Sequence, residues 1–372
     1  MVEFVVRVPD ITPPWQEVFL AGDGPQLGDW SAPAIALERQ SDGTHYARLD
    51  LPPDFRGRFL VTLGRWRDVE GDGSGHEQAP RTLSANGSSM VEVQVDGWGR
   101  TSIHYHHDFV SKFLPHPRTI SVWLPPGYDL NPDRRFPVLY MHDGQNLFDP
   151  ETAFAGNPWY ADEVAEREVR AGRVEPLILV GIANSVDRLK EYGPRLCSQD
   201  RSGDWSEEYG RFLVEEVKPF IDSLYRTLPG PEHTGVGGAS MGGLISLHLC
   251  KWYPDVFRRC AAMSPSLWWD QECFSQKLHV DSKWLDQCRV WLDMGTREGA
   301  SEAGMRSTLR RVARLAQQFA HHGMREGRQF IFLEAEDGMH NEASWGGRFD
   351  HVLQFLYGAS QKEWRMREER KT

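Results

Sequence analysis

The sequence predicts an α/β protein with a mostly parallel sheet covered by helices, preceded by a small all-β sandwich. Three observations carry this expectation. Short alternating runs broken by turn residues fill Val2 to Val95, strands and helices alternate from about Ser111 onward, and a glycine-rich strand at Thr234 to Ala239 runs straight into an apolar helix.

At 372 residues the chain is long for a single small core, so two domains are expected. We place an all-β domain at 1–98, a linker at 99–110 and the α/β domain at 111–372. The formal net charge is −11. Phosphate binding needs a basic surface, so no nucleic-acid partner is expected, and the acidity reads as solubility. The N-terminus MVEFVVRVPD lacks a basic segment followed by an apolar run, and no signal peptide is read there. No stretch approaches the roughly 20 apolar residues of a membrane span. No membrane partner and a cytoplasmic location are therefore expected. The five cysteines are odd in number, irregularly spaced and without a C-x-x-C pair, so reduced thiols are expected.

In the first region Val18–Ala21, Tyr46–Leu51, Phe59–Leu63 and Met90–Val95 read as strands. In the second, Thr119–Leu124 is a strand stopped by Pro125 and Pro126, followed by strands at Pro137–Met141 and Leu177–Ile182. Asp204–Arg226 reads as a long helix, with Phe212, Leu213, Val217, Phe220, Ile221 and Leu224 at helical spacing. After the glycine-rich strand, Leu244–Tyr253 is an apolar helix ended by Pro254. Strands at Arg259–Met263, Arg289–Met294 and Phe330–Glu334 follow. Between the last two lies a helix, Ala303–His322, with Leu309, Val312, Ala313, Ala316 and Phe319 on one face.

The chemistry gathers at the strand ends. Gly238, Ser240 and Gly242 make G-x-S-x-G between a strand and a helix, where small neighbours allow a tight turn that presents a nucleophilic serine. The Met241 backbone N–H then faces a developing oxyanion. In an α/β-hydrolase the order along the chain is nucleophile, acid, histidine. His340, in a glycine-containing loop after the last predicted strand, suits the general base. Glu298, in the loop after RVWLDMG, is preferred as the acid over Asp293 inside that strand. The Gln145 N–H, after the strand ending at Met141, is the candidate for the second oxyanion donor. His104, His106 and His107 cluster near the linker, but no carboxylate or cysteine completes a metal site. No metal and no organic cofactor are expected. Trp268, Trp269 and Trp345 are candidates to line a pocket. Arg188, Glu191 and Tyr192 read as ordering a nearby loop, with an anionic substrate as the other use of Arg188.

VLYMHDGQNLFD, GASMGG, GTREG and GMHNEASW together closely resemble the esterase D-like α/β hydrolases, over roughly Ser111 to Tyr357. That family includes feruloyl, acetyl-xylan and enterochelin esterases and mycolyltransferases. The resemblance implies Ser240 as nucleophile, His340 as base, Glu298 as acid through a G-T-x-[DE] pattern, and Met241 and Gln145 as oxyanion donors. VFLAGDGPQLGDW, Val18 to Trp30, resembles starch-binding modules, which implies that Trp30 and Trp66 stack on sugar rings. His76-Glu77 followed by Gln78-Ala79-Pro80-Arg81 departs from the pattern of those modules. The expected function is a serine carboxylic ester hydrolase acting through an acyl-enzyme on a small-molecule ester, with a sugar or related alcohol as one side. The alternatives are acyl transfer by the same triad and a glycan-binding protein with an inactive hydrolase domain.

Overall fold

The computed structural model describes residues 1–72, 78–85, 89–99 and 103–359. The His76-Glu77 departure lies outside the described residues. The chain forms two compact units, one of residues 1–103, 124–132 and 163–174, the other of 104–123, 133–162 and 175–372. These boundaries correct the expected division in two ways. Segments 124–132 and 163–174 return to the first unit, and the expected linker contains a strand, Ile103–Phe109, of the second unit's sheet. IHYHHDF has no clean apolar alternation, so the strand is made by backbone pairing, which leaves little mark on side-chain pattern.

The first unit contains β1 (Val2–Arg7), β2 (Val18–Gly22), β3 (Ile35–Arg39), β4 (His45–Leu49), β5 (Arg56–Thr62), β6 (Val69–Gly71), β7 (Arg81–Ser84), β8 (Ser89–Gln94) and β9 (Gly97–Gly99). They form one sheet path, β8-β1-β4-β3-β2-β5-β6-β9, with β7 on β5. The described pairs are antiparallel except β1 with β8. Alternate residues face inward, as the two-residue period of a strand demands. Val2, Phe4 and Val6 of β1 share one core with Leu20, Phe59, Val61 and Val93.

The second unit holds β10 (Ile103–Phe109), β11 (Arg118–Trp123), β12 (Val138–His142), β13 (Ile178–Ile182), β14 (Thr234–Ala239), β15 (Arg259–Met263), β16 (Arg289–Gly295) and β17 (Phe330–Ala335). Their order is β10-β11-β13-β12-β14-β15-β16-β17. From β13 to β17 neighbours run parallel, and β11 is antiparallel to β13. β12, β13 and β14 are buried along their whole length, as strands covered on both faces must be. Helix Met241–Trp252 follows β14, and helix Glu302–His321 joins β16 to β17. The latter buries Val312, Leu315, Ala316 and Phe319 and is capped by Ser301, whose side chain accepts from the Gly304 N–H. The long helix expected over Asp204–Arg226 runs from Ser206 to Leu224 with a π-type stretch at Phe212–Val217. No helix among the described residues is long and apolar enough to cross a membrane. Because β12 to β17 point the same way, the loops after β12, β14, β15, β16 and β17 converge on one edge.

The cysteine expectation needs correction. Cys197 and Cys273 form a disulfide, with Cα atoms 5.7 Å apart. The bridge joins residues 76 apart in sequence, and spacing alone does not reveal such a pairing. The other three cysteines are buried and free.

Candidate active site

Ser240 sits between β14 and the following helix with φ 58° and ψ −120°. A non-glycine residue there is strained and is held only by its surroundings. The Ser240 N–H donates to the Met263 carbonyl at 3.0 Å, and the Ser240 carbonyl accepts from Ser266 and Leu244, each at 3.1 Å. The glycines around it follow from close approach. A Cβ on Gly238 would lie 3.1 Å from both the Gly242 carbonyl carbon and His142 Cβ.

Ser240 Oγ lies 2.9 Å from His340 Nε2, and His340 Nδ1 lies 2.7 Å from Glu298 Oε2. A carboxylate only accepts, so Nδ1 carries the proton and Nε2 is free to accept from the serine hydroxyl. The loops bearing Glu298 and His340 dock directly. The Arg297 N–H donates to the Gly338 carbonyl at 3.0 Å, and a Cβ on Gly295 would fall 2.3 Å from that same oxygen. His340 is further held between the Met339 N–H, which donates to Ser344 Oγ at 3.0 Å, and Asn341, which caps helix Glu342–Gly346. The Trp345 ring meets the His340 ring edge-on at 4.9 Å.

Glu298 is 3 % exposed. Its second oxygen accepts from Ser264 Oγ at 2.6 Å and the Gly295 N–H at 2.8 Å. Burial works against the charged form, but the hydrogen bonds from His340 and Ser264 outweigh it and hold the carboxyl below its ordinary value of 4.5. A carboxyl lowered on folding adds stability above its unfolded value and loses it as pH falls through the folded one. The Tm difference between the wild type and Glu298→Gln is therefore expected to shrink below pH 4.5, as measured by thermal melts across pH 3 to 7. A difference that grows on acidification would contradict the assigned charge.

Asp293 is engaged elsewhere. It is fully buried and holds the Arg348 guanidinium bidentately, Nε to Oδ2 at 3.0 Å and Nη2 to Oδ1 at 2.9 Å. It also accepts from Trp291 Nε1 at 2.8 Å and the Ser264 N–H at 3.0 Å. Arg348 Nη2 and Trp345 Nε1 donate to Ser264 Oγ, whose hydroxyl in turn donates to Glu298 Oε1. Asp293 thus braces the group that braces Glu298. Ser264, Ser266 and Arg348 were not singled out from the sequence. Ser264 and Ser266 follow β15 at the converging edge, a positional signal that was available. Ser266 Oγ lies 3.2 Å from Ser240 Oγ.

Met241 opens its helix, so its N–H has no carbonyl one turn back. Among the described hydrogen bonds, neither the Met241 N–H nor the Gln145 N–H has an acceptor. The loop carrying Gln145 begins at Asp143, which has φ 57°. Arg188 holds that carboxylate with two 2.7 Å bonds, and Asn184 Nδ2 adds a third at 2.6 Å. Nε and Nη2 of Arg188 are therefore spent on loop order, as is Glu191, buried in a bidentate pair with Arg118. Tyr192 lies under the Arg188 guanidinium, 5.1 Å from ring centroid to Cζ. A cleft of about 240 Å³ is bordered by His340, Glu298, Ser266, Leu267 and Trp268, and a second of about 360 Å³ by Gln145, Phe148 and Tyr105. Trp268 is 52 % exposed, Trp345 is buried against His340, and Trp269 Nε1 donates to the Pro194 carbonyl at 3.0 Å.

Trp30 and Trp66 are not available as sugar platforms. They are 0 % and 2 % exposed, and their rings pack together at 6.1 Å. Arg170 lies over Trp66 at 4.7 Å, and the Trp66 N–H donates to Glu163 at 2.9 Å. The returning segment 163–174 supplies both partners. Trp15, 82 % exposed, is the open tryptophan among the first unit's described residues. The histidine cluster is dispersed along β10. His106 Nε2 meets the Tyr225 hydroxyl at 2.8 Å, whereas His107 stacks on Tyr105 and meets Thr119.

This sheet order, with a serine in a strained strand-to-helix turn and a histidine after the last strand, defines an α/β hydrolase. Residues 111–356 match the family described as "Putative esterase", and the chain belongs to it. The protein is an esterase. Its relatives include an uncharacterized protein, YbbA, of Bacillus subtilis (strain 168), 26 % identical over 247 residues, covering 65 % of this chain and 93 % of that one. An alpha-amylase of Niallia circulans is 37 % identical over 100 residues, covering 26 % of this chain and 8 % of that one. Among solved structures, the enterobactin esterase FES of Shigella flexneri has a similar fold, with TM-score 0.54, 15 % identity, and 95 % of this chain and 92 % of that chain covered.

Proposed function

We propose that the protein is a serine carboxylic ester hydrolase that works through an acyl-enzyme. The observation that carries this reading is the continuous hydrogen-bonded line from Ser240 through His340 to Glu298. Ser240 Oγ attacks the ester carbonyl carbon while His340 Nε2 takes its proton. The Met241 and Gln145 N–H groups receive the negative oxygen. Collapse breaks the bond to the alcohol, which leaves with the proton from His340. Water then attacks the acyl-enzyme, passes its proton to His340, and releases the acid and Ser240. Glu298 keeps Nδ1 protonated and offsets the imidazolium charge.

The two clefts give the two sides of the ester separate places, and the exposed Trp268 face favours a flat or apolar group. We read the first unit as a β-sandwich, because one core draws residues from strands at both ends of its sheet path. The match to an alpha-amylase supports a carbohydrate-related alcohol, and the likeness to an enterobactin esterase adds siderophore esters as the other class to screen. Rapid quenching of a p-nitrophenyl acetate reaction, followed by intact-mass and peptide analysis, is expected to find one acetyl group on Ser240. Turnover without an acylated intermediate, or with the acetyl on another residue, would overturn the mechanism.

A further inference from the structure

The parallel strands have a second edge, where β14 to β17 begin. Arg259 opens β15 and Arg289 opens β16, with His233 just before β14 and Arg258 just before β15. Arg325 and Arg328 lie in the turn leading into β17. These six side chains line one cavity of about 740 Å³, roughly three times the volume of the cleft beside His340. Each strand is five to seven residues long, which puts this edge about 16–23 Å from the Ser240 edge at roughly 3.3 Å per residue.

The charge here runs against the rest of the molecule. The chain has net charge −11, yet five guanidiniums face one concavity whose acidic lining is Glu232 alone. Three of the arginines are fixed in place, Arg258 by its Nε donating to the Pro254 carbonyl at 3.2 Å with Asp255 4.0 Å away. Arg259 donates to the Glu232 carbonyl at 2.7 Å and to Glu175 at 3.1 Å, and lies over the Tyr357 ring at 4.4 Å. Arg289 lies over the Phe355 ring at 4.6 Å, and its buried Nε has no hydrogen-bond partner. Among the described residues, Arg289, Arg325 and Arg328 have no carboxylate partner. Burial, and then repulsion from Arg259, push the Arg289 guanidinium down to about 10. Like charges gathered in a partly desolvated space repel one another, and a multiply charged anion adds an attraction to each of them that offsets the repulsion.

We propose that this edge of the sheet is a binding site for a small, multiply charged phosphate compound. Planar guanidinium forks match phosphate oxygens two at a time, and several forks around one cavity suit a group with oxygens on every side. The Gln287 and Gln329 amides on the same wall provide neutral donors and acceptors for whatever the phosphate is attached to. The site is separate from the ester-hydrolysing centre and does not depend on the mechanism proposed for it.

The test is isothermal titration of the full chain with inorganic pyrophosphate, the ionic strength being held constant with sodium chloride. One saturable site is expected. Arg289→Gln should weaken it at least tenfold. Arg325→Gln/Arg328→Gln, in a turn outside the sheet, should weaken it as much while ester hydrolysis stays unchanged. No saturable heat in the wild type, or an unchanged Kd in both variants, overturns the proposal. Citrate binding as tightly as pyrophosphate overturns the phosphate assignment.

Discussion

Ser240→Ala is expected to lower kcat/KM for p-nitrophenyl acetate by about 10⁴-fold or more, with Tm within a few degrees of the wild type. The substitution removes the attacking oxygen and nothing that holds the turn. The strained backbone at φ 58° stays, because alanine keeps the Cβ, and the bonds around it are made by main-chain atoms of Ser240, Met263, Leu244 and Ser266. Residual hydrolysis is expected from the two N–H donors acting on ester attacked by water. An activity assay paired with a thermal melt reads both halves. A folded variant that keeps its rate would remove Ser240 from the mechanism.

The second large effect separates two carboxylates that lie five residues apart. Glu298→Gln is expected to lower kcat by about 10²–10⁴-fold, because an amide no longer selects the Nδ1-protonated histidine or offsets the imidazolium. The fold should survive, since glutamine keeps the shape and an oxygen for the Ser264 and Gly295 donors. Asp293→Asn acts on the other side of Ser264. It takes from the Arg348 guanidinium, 6 % exposed, its bidentate charged partner and leaves Glu298, 3.6 Å away, as the remaining carboxylate. Breaking a buried pair costs up to about 3–5 kcal/mol when one charge is left wholly uncompensated, and Glu298 offsets part of that here. The expected result is a fall in Tm of several degrees, with a smaller fall in rate than for Glu298→Gln. Measuring kcat and Tm on both variants decides the roles. A greater loss of rate in Asp293→Asn, at unchanged Tm, would transfer the orienting role to Asp293.

Much of the proposed chemistry was readable because local backbone demands leave residue-type signatures. G-x-S-x-G is required where a strand turns into a helix with no room for side chains at Gly238. His340 was readable from chain order and Glu298 from the loop after RVWLDMG. Helix Glu302–His321 was predicted within a residue at each end, since its buried stripe repeats at helical spacing. The misread tryptophans and cysteines share one physical cause. Trp30 and Trp66 looked like open platforms because their cover, Glu163 and Arg170, comes from about a hundred residues away. The Cys197–Cys273 pair and the Asp293–Arg348 pair likewise join distant positions without periodicity.

The sequence by itself determined the α/β class and the tight strand-to-helix turn at Ser240, because these depend on steric and hydrogen-bonding requirements within a few residues, and it pointed to Glu298 and His340 through chain order and resemblance. Only the tertiary structure decided that Asp293 pairs with Arg348 while Glu298 meets His340, that Trp30 and Trp66 are interior, and that scattered arginines share one cavity. Those facts depend on which distant segments the sheet order brings together, and long-range contacts are set by the packing of the whole chain rather than by any local pattern.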